Sequence, residues 1–201
     1  MEFISLMELI GTVAFAAAGA LLAIEKELDY YGISFFAIVT AVGGGIVRDV
    51  MINVPVPVSL ANPVYIIISL TTTAIVIAFY KKIVNYQNVV MFCDAIGLAA
   101  FTAIGAEVAV VNDVYMPFVV ITLAVLTGTG GGVIRDVMCG DIPFVFRKEV
   151  YAVASILGAL VFMGVYPYFG MYVAVYSTFG ITLATRLISM KFNLHLKKVA
   201  K

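Results

Sequence analysis

The chain is 201 residues long, 63% hydrophobic and only 12% charged, with a mean hydropathy of +1.11, whereas soluble domains carry about 25% charged residues. This composition excludes an ordinary water-soluble enzyme, a disordered chain and a basic nucleic-acid binder, and it implies lipid as the solvent. Twelve Lys and Arg balance twelve Asp and Glu, so no net field recruits nucleic acid and only the placement of charge is informative.

A helix crosses a bilayer with about 20 apolar residues. Polar clusters divide the sequence into seven such runs, at 4–24, 32–52, 60–80, 89–111, 115–138, 150–167 and 170–190. The first follows Met1-Glu2-Phe3, which lacks the cationic stretch of a cleavable signal, so it reads as a retained membrane helix. The expected fold class is all-α integral membrane, in a single domain over 1–201. Lys and Arg accumulate on the cytoplasmic side of membrane proteins. Here Lys26 lies in the first connection, Lys81 and Lys82 in the third, Arg147 and Lys148 in the fifth, and Arg186, Lys191, Lys197, Lys198 and Lys201 in or beside the C-terminal tail. The N-terminus and the second, fourth and sixth connections hold none. That alternation predicts a multi-pass protein of the cell membrane with its N-terminus outside and its C-terminus cytoplasmic. The tail lysines add an affinity for the anionic headgroups of membrane lipids.

The two remaining cations, Arg48 and Arg135, lie inside spans and belong to a duplicated segment. Gly43-Gly44-Gly45-Ile46-Val47-Arg48-Asp49-Val50-Met51 recurs as Gly130-Gly131-Gly132-Val133-Ile134-Arg135-Asp136-Val137-Met138, with seven of nine positions identical. Upstream, Glu8 to Ala20 matches Asp94 to Ala106; downstream, Pro57 matches Pro143 and Val64-Tyr65 matches Val150-Tyr151. Each copy, 4–80 and 89–167, holds three spans. An odd number makes the second copy enter the membrane from the opposite side, so the repeats are inverted and the seventh span, 170–190, stands outside them. Inverted repeats are the architecture of many transport proteins.

Three successive glycines weaken a helix. A kink or break is expected at Gly43–Gly45 and Gly130–Gly132, where freed carbonyls lining a path could coordinate a cation; the other reading is close helix packing through small residues. Duplication in inverted copies favours the path. Arg48 and Arg135 are costly in lipid and need partners. The adjacent Asp49 and Asp136 point elsewhere on an ideal helix, while depth suggests the pairs Glu8 with Arg48 and Asp94 with Arg135, either as structural ion pairs or as gates at the two mouths of a path. Glu107, in the fourth span, has Leu21 as its repeat equivalent and reads as an interfacial carboxylate. Lys148 and Glu149 stand at the cytoplasmic mouth. Cys93 and Cys139 have no metal-ligand spacing and the sole histidine, His195, is in the tail, so neither a metal nor another cofactor is expected.

The duplicated Gly-Gly-Gly-x-x-Arg-Asp, the seven spans and Lys148-Glu149-Val150 resemble the trimeric intracellular cation channel family over nearly the whole chain. The similarity is greater to its prokaryotic branch, some of whose bacterial members are described as glycine transporters. The resemblance implies a homotrimer with a hydrophilic pore in each subunit, kinks in spans 2 and 5 at the glycine triplets, and passage of monovalent cations such as K⁺ and Na⁺; the long basic tail of the animal proteins is missing. Two functions stay open: a passive cation channel, and a transporter of glycine or a small amino acid, for which Arg and Asp would hold the carboxylate and the ammonium. No combination of nucleophile, base and orienter suggests an enzyme.

Overall fold

The computed structural model describes residues 5–82, 86–147 and 150–194, and those residues are helical with short turns. The long helices are α1 (Leu6–Glu25), α2 (Tyr30–Met51), α4 (Val64–Phe79), α5 (Tyr86–Val111), α6 (Pro117–Met138) and α8 (Val150–Phe192); α3 (Val58–Ala61) and α7 (Phe144–Arg147) are single turns. Among the described residues six stretches are long and apolar enough to cross a membrane. The third begins at Val64, later than the expected residue 60. Pro63 sits at its N-terminus and α3 occupies the preceding residues.

Local chemistry sets the ends. A capping box starts α1, with Ser5 Oγ accepting from the Glu8 amide at 3.2 Å and Glu8 Oε2 accepting from the Ser5 amide at 2.8 Å. Asp29 Oδ1 caps α2 through the Gly32 amide at 2.7 Å, and α6 opens on Pro117, where a missing N–H costs nothing. The turns leaving α1 and α5 pass through left-handed residues at Glu27 (φ 57°) and Asp113 (φ 59°); those leaving α2 and α6 do so at Asn53 (φ 59°) and Gly140 (φ 70°). These pairs occupy equivalent places in the two sequence copies, so the duplication extends to the turns.

At about 1.5 Å per residue, 43 residues of straight helix would be twice as long as a bilayer is thick. Helix α8 avoids this by breaking at Gly170 (φ 77°, ψ 179°), a conformation open mainly to glycine. Its arms then fold back on each other: Gly158 abuts the Thr182 hydroxyl, and the Arg186 guanidinium lies 4.7 Å from the Tyr151 ring centre. Either contact would be impossible along an unbroken helix.

At the centre of the core α1 packs against α5 and α2 against α6, with α8 packed along α5. Phe15 and Phe101 stack with centroids 5.4 Å apart, and each ring fills the space left by a glycine on the opposite helix: Gly97 faces Phe15 and Gly11 faces Phe101. On the second pair, any side chain on Gly44 would strike the Thr127 carbonyl, and any on Gly131 the Thr40 carbonyl. Thr40 and Thr127 hydroxyls in turn donate to Phe36 and Leu123 carbonyls, both at 2.6 Å. Each of these contacts thus has a counterpart in which the copies exchange roles.

The break expected at the glycine triplets is absent: α2 runs as helix through Gly43, Gly44 and Gly45, and α6 through Gly130, Gly131 and Gly132. The low helix propensity of glycine is a measure against competing water. Gly44 and Gly131, buried against the backbone of the opposite helix, have no such competitor, and both triplets keep their helical hydrogen bonds. Their absent side chains instead permit the close crossing of α2 over α6.

Candidate functional site: two buried arginine–carboxylate clusters

Helices α1 and α5 run antiparallel through the Phe15–Phe101 stack, with Met7 packed near Val110 and Leu21 near Val90. Glu8 and Asp94 are each seven residues from that stack, in opposite directions, so their clusters lie about 20 Å apart along the helices.

At one end, Arg135 and Asp94 are both fully buried and form an ion pair, Nη1 to Oδ1, of 2.9 Å. Nε and Nη2 of the same guanidinium each meet Asp136 Oδ1 at 2.8 Å, and Phe144 lies beneath it at 5.2 Å. A methyl on Gly132 would lie 3.2 Å from the Tyr151 hydroxyl and 3.3 Å from Asp94 Oδ1. Tyr151, wholly buried, therefore completes the cluster. The expected Asp94–Arg135 pair is formed.

The expected Glu8–Arg48 pair is not. Among the described residues Arg48 pairs with Asp49, through Nε at 2.8 Å and Nη2 at 2.7 Å. Glu8 accepts from the Tyr65 hydroxyl at 2.9 Å and uses its other oxygen for the α1 cap. Between Glu8, Arg48 and Tyr65 remains a small cavity of about 20 Å³, bordered also by Gly45 and Ser59. The charged groups acting on half-buried Glu107 are Glu8 and Arg48, which attaches this acid to the same cluster.

The adjacent Asp49 and Asp136 are partners of their arginines after all. Ideal helix geometry separates neighbouring side chains, but each Asp is anchored from beyond the helix end. Asp49 Oδ2 accepts from the Val58 amide at 2.8 Å and Asp136 Oδ2 from the Phe144 amide at 2.9 Å. These bonds tie α3 and α7 back to α2 and α6 and fix each carboxylate within reach of the long arginine. Sequence reasoning also passed over Tyr65 and Tyr151, although their identical places in the two repeats were a usable signal. Arg186, assigned with the cytoplasmic tail cations, is instead 1% exposed. Lys148 and Glu149 lie outside the described residues.

Each cluster sets one arginine against two carboxylates, a formal excess of one negative charge, and Glu107 adds another acid at the Glu8 end. Beside the Asp94 cluster a cleft of about 390 Å³ is bordered by Lys26, Asp136, Asp141 and Phe144. Across it Lys26 Nζ meets Asp141 Oδ2 at 2.9 Å, both residues being substantially exposed. The hydrogen bond to Asp141 raises the Lys26 pKa above its ordinary value. Among the described residues no group of His, Cys, Asp and Glu could hold a metal ion.

Membrane-length helices built around two buried ionic clusters define an all-helical integral membrane protein. The chain belongs to the family described as "Glycine transporter", whose model matches it twice, over residues 5–81 and 91–167. It is 40% identical to the UPF0126 membrane protein YvgT of Bacillus subtilis, covering 94% of this chain and 92% of that one. It is 32% identical to the inner membrane protein YadS of Escherichia coli over 96% and 95%. A prokaryotic TRIC channel crystallised in 0.5 M KCl superposes with a TM-score of 0.90 at 32% identity, over 95% of this chain and 97% of that one. The TRIC trimeric intracellular cation channel orthologue from Rhodobacter sphaeroides gives 0.89 at 29% identity, over 94% and 97%. The resemblance read from the repeated motif is thereby established.

Proposed function

We propose that the chain is a passive monovalent cation channel of the cell membrane, acting as a homotrimer with one pore in each subunit. The observation that carries this reading is the excess of carboxylates over arginines at both ends of the α1, α2, α5 and α6 core, Glu8 and Asp49 about Arg48 and Asp94 and Asp136 about Arg135, in a fold closely similar to solved TRIC cation channels. A cation gains from such charge and an anion is repelled. The path runs past Glu8 and Arg48 at one mouth and Asp94 and Arg135 at the other, beneath the faces of Gly43–Gly45 and Gly130–Gly132. Conduction requires the Asp94–Arg135 pair to part, so that pair is the gate of the closed form.

The topology we assign is seven membrane helices: two inverted repeats of three, 4–80 and 89–167, and a seventh at 170–190 supplied by the second arm of α8. The N-terminus is outside and the C-terminus cytoplasmic. Reciprocal contacts across α1–α5 and α2–α6, and a family model that matches twice, support the inverted repeats. The Lys26–Asp141 pair, which joins the first and fifth connections, agrees with the sidedness. The alternative function, transport of glycine or a small amino acid, is favoured by the family's description. It needs an arginine free to bind a carboxylate, whereas Arg135 already donates to two aspartates.

Purified protein in a planar bilayer under a KCl gradient, with and without glycine, tests the proposal. Discrete cation-selective openings indifferent to glycine, with altered open probability in Arg135→Ala, are expected. A silent bilayer together with saturable glycine uptake into proteoliposomes would overturn the channel in favour of the transporter.

A further inference from the structure

Arg186 stands in the second arm of α8. It is 1% exposed, yet its Nε has no hydrogen-bond acceptor. Among the described residues no carboxylate pairs with it, and residues 150–201 contain neither Asp nor Glu. Its neighbour is the face of Tyr151, 4.7 Å away, a contact that leaves Nε without an acceptor. A buried cation with an unpaired donor and no carboxylate among the described residues is strongly disfavoured unless something anionic completes it.

The space for such a partner is present. Arg186 lines a pocket of about 240 Å³ together with Ser189, Asn88 and Asn193, several times the roughly 30 Å³ share of one water in the liquid. Arg186 is six residues, or about 9 Å, from the end of α8 at Phe192, the depth at which a helix end meets lipid headgroups. The planar fork of arginine matches the oxygens of phosphate, and the Ser189 hydroxyl lines the same pocket. A permeant cation, by contrast, is repelled here.

We propose that this pocket binds a phosphate-bearing anion through Arg186, supplied either as a phospholipid headgroup or as free phosphate. The site is separate from the proposed conduction path and does not rest on it. Tyr151 nevertheless touches both Arg186 and the Asp94 cluster, so an occupant lies one side chain from the buried ion pair.

The test is the thermal unfolding midpoint of the full chain in lipid-free maltoside micelles, titrated with inorganic phosphate or with short-chain phosphatidylglycerol, against chloride at equal ionic strength. A saturable rise of several degrees is expected, absent from Arg186→Gln and from Ser189→Asp. The second variant keeps Arg186 and provides it with an internal carboxylate, so it remains informative if the first fails to fold. A rise with phosphate alone identifies the free anion as sufficient, and a rise only with the lipid identifies the headgroup. No saturable rise with either probe, or an equal rise in both variants, would overturn the site.

Discussion

The Glu8 and Asp94 clusters derive from one duplicated pattern but end in different states. Asp94 and Arg135 are locked together without exposure to solvent, while Glu8 and Arg48 face a small cavity and hold different partners. The cause lies in where each acid sits on its helix. Glu8 is in the first turn of α1 and is claimed by the capping box. Asp94 is eight residues inside α5, whose start at Tyr86 lies a full two turns earlier, so it has no capping duty and can turn wholly toward Arg135. A shift in helix start converts the same motif from an open site to a latched one.

The strongest way to break this comparison is to remove the two acids in parallel. Asp94→Ala leaves Arg135 buried with one carboxylate fewer and is expected to cost about 3–5 kcal/mol, whereas Glu8→Ala, in a partly exposed first turn, costs about 1 kcal/mol. Unfolding titrations in mixed micelles measure both; equal losses would show that the two ends are not energetically distinct.

Gly44→Ala and Gly131→Ala come next, each expected to cost about 1–3 kcal/mol by overpacking. Because each methyl meets a carbonyl of the opposite helix, the two losses should be similar, in contrast to the acids. Tyr65→Phe removes a hydrogen bond to the Glu8 carboxylate and should cost about 1 kcal/mol. It also frees Glu8 to approach Arg48, so the spectroscopic or crosslinking distance between α1 and α2 should shorten at that end.

The smallest effect belongs to Lys26→Met. The Lys26–Asp141 pair is solvent-exposed, and such pairs contribute little. Its pKa is raised by Asp141, so whatever it contributes is fully present below the unfolded-state value of about 10.4. It is lost as pH rises through the higher folded value. A stability profile between pH 9 and 12 should therefore be flatter in the variant.

Much of the core was legible in the residues alone. Membrane-length apolar runs predicted the helices because lipid leaves backbone groups no other way to be satisfied, and Arg135 with Asp94 followed from depth in the repeat. The glycine triplets misled because propensity describes a helix in water, whereas Gly44 and Gly131 are held against backbone. Asp49 and Asp136 misled because an isolated helix omits the Val58 and Phe144 amides that anchor them. Arg186 was hidden among tail cations because nothing local distinguishes a charge near a helix end from one turned inward.

The sequence by itself determined that this chain dissolves in lipid, where its helices fall, and that two copies of one arginine-bearing unit must meet. Those properties follow from hydrophobic length, charge placement and repetition, which are all read along the chain. Only the tertiary structure decided that Asp94 latches Arg135 while Glu8 turns to Tyr65, that the glycines serve a helix crossing, and that Arg186 is buried without a carboxylate. Such choices depend on which groups compete for each donor and acceptor, and those competitors are brought together by packing from segments far apart in sequence.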